Sequence, residues 1–318
     1  MDRKKTSKKG DNGHALIIGG SEEYVGAVAL AGLAALRASC DLVTIYAPDK
    51  VAWAINKYTP DLMTHKIKAS FTVKLAKEMV KNIEKFDAVL VGNGITRKAD
   101  KFCGYFVRKS TKLKVVDADG LKSLGFRDFN NSIVTPHAKE LEMMLVNSKK
   151  EFLLPKLRAS NTKEKAEILQ GNLRYFLQNN NVLLLKGPTD IIISRNKIAF
   201  NRTGNQGMTK GGTGDVLAGL AVGFLAKTGD LFKSAAAAAF VNGFVGDLLL
   251  KQKKGYTFIA SDIIEDLEKI QGMEKKFKRA KKRAEKKAAA SKPVKKKVAK
   301  KKVVKKKASK KKSSKRKK

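Results

Sequence analysis

Cysteine is scarce in this sequence, which contains two among 318 residues. Cys40 and Cys103 lie far apart and show no Cys-x-x-Cys spacing, which excludes a disulfide framework and a zinc site built on cysteines. This usage indicates a reducing compartment. The basic segment of residues 1–10 lacks the apolar stretch that a secretory signal requires, so we expect a cytoplasmic protein.

A long hydrophobic run is also missing. The longest apolar stretch, residues 235–250, contains Asn242 and Asp247 and is shorter than a membrane-spanning helix needs to be. We interpret it as a buried helix and expect no membrane partner.

Two common nucleotide-binding signatures are absent. The glycine-rich segment 211–214 is not followed by Gly-Lys-Ser or Gly-Lys-Thr, which excludes a Walker A loop. The turn 19–21 lacks the Gly-x-Gly-x-x-Gly spacing, and the next predicted strand closes with Tyr46-Ala47-Pro48 instead of an acidic residue. The sequence therefore does not fit a Rossmann dehydrogenase.

Acidic residues are outnumbered, and the formal net charge is +39. The surplus is concentrated in residues 274–318, which hold 26 Lys and Arg against two Glu, and lysine triplets recur from Lys295 onward. Such a run buries too little apolar surface to offset the entropy of ordering, which predicts a disordered tail over residues 271–318. Its charge favours weak, sequence-independent binding to nucleic acid or other polyanions, and the alternative is a solubilising segment.

Between these basic ends, short β-branched runs alternate with amphipathic segments. Apolar strands separated by helices are typical of a parallel sheet that is covered on both faces. We therefore predict one α/β domain over residues 14–270, preceded by a basic extension of residues 1–13. The predicted strands are residues 15–18, 42–46, 88–91, 114–117, 132–135, 182–186, 190–194 and 197–200. Amphipathic segments, for example residues 27–38, 72–84 and 163–178, lie between most of these strands and are predicted to be helical. Two helices, residues 213–227 and 231–250, are predicted after the last strands, with Ser261 as the cap of a last helix.

The segment 201–215, read as NRTGNQGMTKGGTGD, leads into an apolar helix. Glycines at the start of a helix expose backbone N–H groups at the positive end of its dipole, which suits a phosphate or a developing oxyanion. Asp215, in the first turn, is placed to act as a base on a hydroxyl. The alternative is a tight turn followed by an ordinary carboxylate at a helix start.

Further turns follow other predicted strands. They are Gly92-Asn93-Gly94, Asp117-Ala118-Asp119, Thr135-Pro136-His137 and Lys186-Gly187-Pro188. Taken singly, each has an ordinary structural explanation, such as a helix cap or an exposed strand end. Because the carboxyl ends of parallel strands meet at one edge of the sheet, their repetition predicts a shared ligand cleft.

Together these motifs resemble the ADP/ATP-dependent NAD(P)H-hydrate dehydratase family of the ribokinase-like superfamily. The resemblance is carried by IIGGSEEYVGA, VLVGNGI, VVDADGL, IVTPHAKE, LLLKGPTDII and TGNQGMTKGGTGDVLAGL, in that order along the chain. It implies a three-layer α/β/α fold with a mostly parallel central sheet. It also implies an activity in which a nucleotide phosphorylates the 6-hydroxyl of hydrated NADH or NADPH and phosphate then leaves.

The resemblance further assigns residues to two ligands. The hydrated dinucleotide would contact Ala27, Gly94, His137 and Asp215. The adenine nucleotide, ADP or ATP, would contact Lys186, Gly187, Pro188, Thr189, Asp190, Gly211, Gly212, Thr213 and Gly214. Magnesium is expected with the phosphates, although no ligand is assigned to it. We also expect a homo-oligomer and, because few residues precede the first strand, an epimerase on a separate chain if there is one.

Some positions depart from the family's usual pattern. Gly-Pro-Gly-Leu-Gly appears here as residues 92–96, GNGIT, and Lys122 stands where an asparagine is usual. Pro188-Thr189-Asp190 replaces a common Gly-Thr pair. The alternative function is that of a kinase in the same superfamily, acting on a thiazole, a pyrimidine or a sugar alcohol.

Overall fold

The computed structural model describes residues 3–68 and 70–273, and its centre is a nine-stranded sheet. The strands are β1 His14–Ile18, β2 Leu42–Pro48, β3 Met63–Ile67, β4 Ala88–Val91, β5 Leu113–Val116, β6 Ser132–Val134, β7 Val182–Leu185, β8 Asp190–Ile193 and β9 Ile198–Asn201. Their order across the sheet is β3-β2-β1-β4-β5-β6-β7-β8-β9. All pairings up to β7 are parallel, and β8 and β9 continue the sheet as antiparallel strands.

Helices cover both faces of this sheet. They are α1 Val25–Arg37, α2 Asp49–Tyr58, α3 Val73–Asn82, α4 Asp100–Lys109, α5 Ala138–Asn147, α6 Leu154–Ala159, α7 Thr162–Asn172, α8 Arg174–Gln178, α9 Thr213–Thr228, α10 Leu231–Leu249 and α11 Ala260–Asp266. One hydrophobic core lies under α1, α2, α9, α10 and α11, and the other lies under α3 to α8. The predicted three-layer arrangement with a mostly parallel sheet is therefore what the structure shows.

Three details differ from the sequence-based expectation. Strand β3 was not predicted, because exposed and half-exposed residues alternate along this edge strand and only Ile67 is buried. The predicted helix 163–178 is two helices, which are interrupted at Leu173. Ser261 is not a cap, since α11 begins at Ala260 and the Asp262 carboxylate accepts from the Ile259 amide at its start.

The amino-terminal end of the described chain is held by Asp41. Within the predicted basic extension of residues 1–13, described from residue 3, the Asp41 carboxylate accepts from the backbone amides of Gly10 and Asn12 and pairs with Arg3 at 2.7 Å. These amides, Asn12 and Arg3 together keep the pKa of Asp41 below its usual range although its burial acts in the opposite direction. The predicted tail, beyond its first three residues, lies outside the described residues.

Helix α10 coincides with the predicted helix 231–250 to within one residue. With the π-helical turn after it, the helix runs to Gln252 and is long and apolar enough to cross a membrane by these two criteria alone. Half of its most apolar 18-residue stretch is buried, and Ala235, Ala238 and Val245 pack in the core. A core helix passes the same test, so the observation is weak evidence for a span.

The topology brings the predicted loops to one edge. Strand order reverses between β1 and β4, so the loops after these two strands diverge and leave a crevice. Gly19 and Asn93 meet across it, where a Cβ on Gly19 would lie 2.3 Å from the Asn93 carbonyl oxygen. The Gly20 amide donates to the same oxygen at 2.9 Å.

Helix α9 crosses α1 with its backbone in contact. A Cβ on Gly219 would lie 2.2 Å from the Ala31 carbonyl oxygen, and one on Gly223 would lie 2.6 Å from that of Ala35. Because a side chain at either position would push the helices apart, glycine is required here for packing.

We expect Gly219→Ala to destabilise the fold by about 1–3 kcal/mol in chemical denaturation, since the gain in helix propensity is outweighed by the clash with α1. Gly171 in α7 is the matched control, because nothing lies within 4 Å of a Cβ built there. Gly171→Ala should therefore stabilise by about 0.5–1 kcal/mol. Equal effects of the two substitutions would contradict the close crossing.

Candidate active site

A cavity of about 620 Å³ opens at the carboxyl edge of the sheet. Its walls come from the loop after β7, the loop between β9 and α9, and the side of α10. It is lined by His137, Lys186, Gly187, Pro188, Asp190, Thr203, Gly204, Asn205, Gln206, Met208, Thr209, Lys210, Thr213, Gly214, Leu217, Ala239, Asn242 and Gly243. This volume lies in the range of small-molecule sites.

The start of α9 forms one end of this cavity. Gly212 precedes the helix with a φ of +91°, a conformation that favours glycine. The hydroxyl of Thr213 donates to the carbonyl oxygens of Met208 and Lys210, which fixes the turn. The first amides of a helix have no intrahelical partner, so this end of α9 offers donors to an anion.

Asp215, in the first turn of α9, belongs to a buried polar chain. The amide Nδ2 of Asn93 donates to Asp215 Oδ1 at 2.6 Å and to Asp117 Oδ2 at 3.0 Å. Asp117 Oδ1 accepts from Lys186 Nζ at 2.9 Å and from the Thr135 hydroxyl at 2.7 Å. The chain thus links the helix start to the end of β7.

Glu140 completes this chain from α5. Its Oε2 lies 3.7 Å from Lys186 Nζ, so one ammonium group faces two buried carboxylates, those of Asp117 and Glu140. Glu140 Oε2 also accepts from the His137 amide at 2.8 Å. Buried charges of this kind are stable only when each is paired and hydrogen-bonded.

The environment shifts several pKa values. Burial raises the pKa of Asp215 to about 6; the negative charge of Asp117 raises it too, whereas the Asn93 amide and Lys186 act against the shift. Burial also raises the pKa of Glu140, although Lys186 opposes it. Burial disfavours the charge on Lys186, but Asp117 and Glu140 outweigh this and raise its pKa.

His137 is the N-cap of α5. Its Nδ1 accepts from the backbone amides of Lys139 and Glu140, and Glu140 caps the His137 amide in return. The ordinary structural explanation, that His137 caps a helix, is therefore right for its Nδ1 nitrogen. His137 also lines the cavity, so the residue that caps α5 is placed where a ligand could reach it, and the contact itself stays a prediction.

The predicted nucleotide loop 186–190 is braced by Asp190. This carboxylate accepts from the Gly187 amide at 3.0 Å and from Asn201 Nδ2 at 2.9 Å. Burial raises the pKa of Asp190, and these two hydrogen bonds act against the shift. Thr189 does not line the main cavity and instead contributes to a second one of about 370 Å³, on the side of α5, α6 and α7.

Ala27 and Gly94, predicted to contact the dinucleotide, lie together in the crevice between β1 and β4. Gly94 has a φ of +65°, and a Cβ on it would lie 3.1 Å from the Ala27 Cβ. Neither residue lines the main cavity, but Asn93, next to Gly94, bonds to Asp215. Asp215 therefore stands between the crevice and the cavity.

Of the predicted site residues, Lys186, Gly187, Pro188, Asp190, Thr213, Gly214 and His137 line one cavity. Gly211 and Gly212 lie beside it at the helix start without lining it. Sequence reasoning did not assign roles to Asn93, Thr135, Glu140 or Asn242. Asn93, Thr135 and Glu140 lie in the quoted strand-end motifs, but a motif does not show which side chains meet.

Comparisons with known proteins show which family this chain resembles. A family model described as NAD(P)H-hydrate dehydratase matches residues 15–269. The bifunctional NAD(P)H-hydrate repair enzyme Nnr of Methanocaldococcus jannaschii is 36% identical over 271 residues, which are 83% of this chain and 49% of that protein. The chain thus spans about half the length of this relative.

Two further proteins match over most of their own length. The ADP-dependent (S)-NAD(P)H-hydrate dehydratase of Cenarchaeum symbiosum is 33% identical and is aligned over 83% of this chain and 90% of its own. The crystal structure of the Bacillus subtilis ADP/ATP-dependent NAD(P)H-hydrate dehydratase, co-crystallised with ATP and Mg²⁺, has a TM-score of 0.70 at 25% identity and covers 85% of this chain and 93% of that one. The ribokinase-like α/β/α fold that the motifs implied is confirmed. This chain belongs to the NAD(P)H-hydrate dehydratase family.

Proposed function

We propose that this protein restores NADH and NADPH from their C6-hydrated forms at the expense of an adenine nucleotide. The observation that supports it best is the position of Asp215, a buried carboxylate in the first turn of α9, beside a cavity large enough for a nucleotide. A base, an anion-binding helix start and a nucleotide-sized cavity are the three parts that phosphoryl transfer to a hydroxyl requires.

In the first step, Asp215 takes the proton from the 6-hydroxyl of the hydrated ring. The hydroxyl oxygen forms a bond to the terminal phosphorus of ADP or ATP, and the bond from that phosphorus to the bridging oxygen breaks, so that AMP or ADP leaves. The amides of Gly211–Gly214 and the ammonium of Lys186 would face the negative charge on the transferring group. Lys186 is well placed for this role because a Cβ on Gly214 would lie 3.9 Å from its Nζ.

In the second step, the C6–O bond breaks and inorganic phosphate departs with the bonding electrons. A proton passes from C5 to the departing phosphate or to water, and the C5–C6 double bond of the dihydronicotinamide is restored. Phosphorylation is needed because hydroxide is a poor leaving group at neutral pH, whereas phosphate is a good one.

Magnesium would be carried by the nucleotide. Among the described residues, no three His, Cys, Asp or Glu side chains form a group able to enclose a metal ion. Mg²⁺ commonly binds through substrate phosphates and water with few protein ligands, where it neutralises phosphate charge. The residues present therefore fit a metal that enters with its nucleotide and not a resident metal centre.

The test is incubation of the purified protein with NADH hydrate, Mg²⁺ and either ADP or ATP. The proposal expects nucleotide-dependent recovery of the near-ultraviolet absorbance of the dihydronicotinamide, with release of inorganic phosphate. A stable phosphorylated product without that absorbance would instead identify a kinase, and no reaction with either nucleotide would overturn the proposal.

We expect the kcat/KM of this reaction to fall as the pH drops below about 6. Asp215 must be ionised to accept a proton, and burial raises the pKa of this carboxyl to about 6. Activity should therefore be high above this pH and decline tenfold per unit well below it. A pH profile that stays flat down to pH 5 would show that this carboxylate is not the base.

A second function is proposed for the tail, on the basis of its charge. We infer that residues 274–318, with a net charge of +24, bind polyanions such as nucleic acid. The segment contains one aromatic residue, Phe277, and therefore little means of stacking on bases, which favours binding through the phosphate backbone.

Truncation after Gln271 should abolish binding to a fluorescent DNA duplex and leave the dehydratase kinetics unchanged. For the full chain, the logarithm of the binding constant should fall linearly with the logarithm of the salt concentration. Binding that survives truncation, or catalysis that is lost with it, would contradict this assignment.

The expected homo-oligomer and the separate epimerase remain predictions. Analytical ultracentrifugation of the full chain tests the first. The second is tested by asking whether an added epimerase increases the fraction of a mixed hydrate that is restored.

A further inference from the structure

Asn93 is a buried amide next to the proposed base, Asp215. The side chain is fully buried, and its Nδ2 lies within hydrogen-bonding distance of two carboxylates, those of Asp117 and Asp215. Both partners accept hydrogen bonds, so the nitrogen of the amide and not its oxygen must face them. The orientation of this side chain is thereby determined by its neighbours.

The opposite end of the amide is unsatisfied. Asn93 Oδ1 is buried and has no hydrogen-bond partner among the described residues. A buried acceptor without a partner costs stability, so the contribution of Asn93 to folding does not by itself explain an amide at this position. Polar groups retained at such a cost are found most often at functional sites.

The two carboxylates differ in what else holds them. Asp117 accepts from Lys186 and Thr135 as well as from Asn93. For Asp215, the bond from Asn93 is the one side-chain hydrogen bond recorded within the described part of the chain. Removing the amide therefore leaves Asp117 held and Asp215 free to rotate about χ1 and χ2.

We propose that Asn93 is a positioning residue for the reaction: it holds the Asp215 carboxylate ionised and oriented toward the substrate hydroxyl, and it ties this base to the Asp117–Lys186 pair at the nucleotide side. This inference rests on the proposed function for its kinetic consequence. Its structural content, that Asn93 sets the protonation and rotamer of Asp215, is independent of the substrate.

The experiment compares the pH dependence of kcat/KM in wild type, Asn93→Ala and Asn93→Ser. The acidic limb is the part of the pH profile in which kcat/KM falls as the pH is lowered. In Asn93→Ala this limb should move to higher pH by about one unit, because ionised Asp215 loses the hydrogen bond from Asn93 while the Asp117 charge remains. Serine can donate to one carboxylate only, so Asn93→Ser should show a smaller shift. It also provides a second variant if alanine impairs folding.

Asn181→Ala is the matched control. Asn181 is another buried asparagine, which accepts from the Ser132 amide and donates to two carbonyl oxygens at the opposite end of the sheet. Its loss should lower stability and leave the acidic limb in place. An unmoved limb in both Asn93 variants would reduce Asn93 to a structural role and overturn the proposal.

A second readout separates this inference from the proposed function. The Asp215 carboxyl carbon is titrated by NMR in protein labelled with ¹³C-aspartate, with Asp215→Asn for assignment. If wild type fails to turn over NADH hydrate, the proposed function falls, yet an upward shift in the Asn93→Ala titration still supports the positioning role. An unchanged titration refutes that role whatever the kinetics show.

Discussion

Replacement of Asp215 by asparagine is expected to lower kcat for NADH hydrate by about 10²–10⁴-fold, the usual contribution of a general base. The amide has nearly the same volume and can still accept a hydrogen bond from Asn93, so the fold and the rotamer should persist. It has no basic oxygen, however, and the substrate hydroxyl would have to attack while still protonated. Single-turnover kinetics, with enzyme in excess over the hydrate and the nucleotide at saturation, would measure the loss of the chemical step directly.

Nucleotide affinity should change little in this variant, since the phosphates are expected at the glycine amides and at Lys186. Asp49→Asn is a suitable control, because Asp49 is also an acidic residue in the first turn of a helix but is exposed and does not line the cavity. Equal activity of the Asp215→Asn and Asp49→Asn variants would remove the base from the proposed mechanism.

Lys186→Met should be the most destabilising single substitution at the site, with a loss of about 3–5 kcal/mol in the free energy of unfolding. Lys186 is the cation between Asp117 and Glu140, whose side chains are 3% and 7% exposed, and its removal leaves two carboxylates buried without it. Guanidinium denaturation at several pH values would measure the effect.

The loss in the free energy of unfolding of Lys186→Met should become smaller as the pH is lowered. Burial already raises the pKa of Glu140 in the folded state, and loss of Lys186 should raise it further. The ionised carboxylate therefore destabilises the variant above this pKa, and the penalty is relieved as the pH falls through it. The opposite trend would show that Lys186 does not compensate these charges.

The exposed pair of Lys233 and Asp230 provides the matched control. Its 3.0 Å separation is close to the 2.9 Å of Lys186 and Asp117, but the lysine side chain is 76% exposed. Lys233→Met should cost no more than about 1 kcal/mol, because solvent screens such pairs. Since the contact distances are nearly equal, the two lysines differ in burial and in the second carboxylate, Glu140, that faces Lys186.

The sequence predicted this fold well because its signals are local. Buried parallel strands such as Ala88–Val91 are continuous apolar runs, and the turns after them contain the glycine and acidic residues that mark a carboxyl edge. Strand Met63–Ile67 lacks this signal and was missed, because at the edge of the sheet it has one buried residue and no apolar run. The break at Leu173 depends on tertiary packing, which helical periodicity does not encode.

The site was predictable as a set of loops but not as a set of contacts. Topology alone requires the turns at Gly92, Asp117 and Lys186 to converge. Which side chains then bond is decided by distances of a few tenths of an ångström, and these depend on how every helix packs. Asn93 thus looked like a departure from a familiar glycine pattern, whereas the structure shows it joining two carboxylates.

The cap at the start of α5 has a consequence for acid–base chemistry. Because both backbone N–H groups point at Nδ1 of His137, that nitrogen carries a lone pair, and in the neutral ring the proton must be on Nε2. The neutral imidazole therefore has a donor at Nε2, which lies 3.6 Å from Glu140 Oε1, and it has no acceptor to offer to a ligand in the cavity. A ligand group that meets this ring must supply an oxygen or nitrogen lone pair, such as a carboxamide oxygen or a phosphate, and a second base beside Asp215 has to be sought elsewhere.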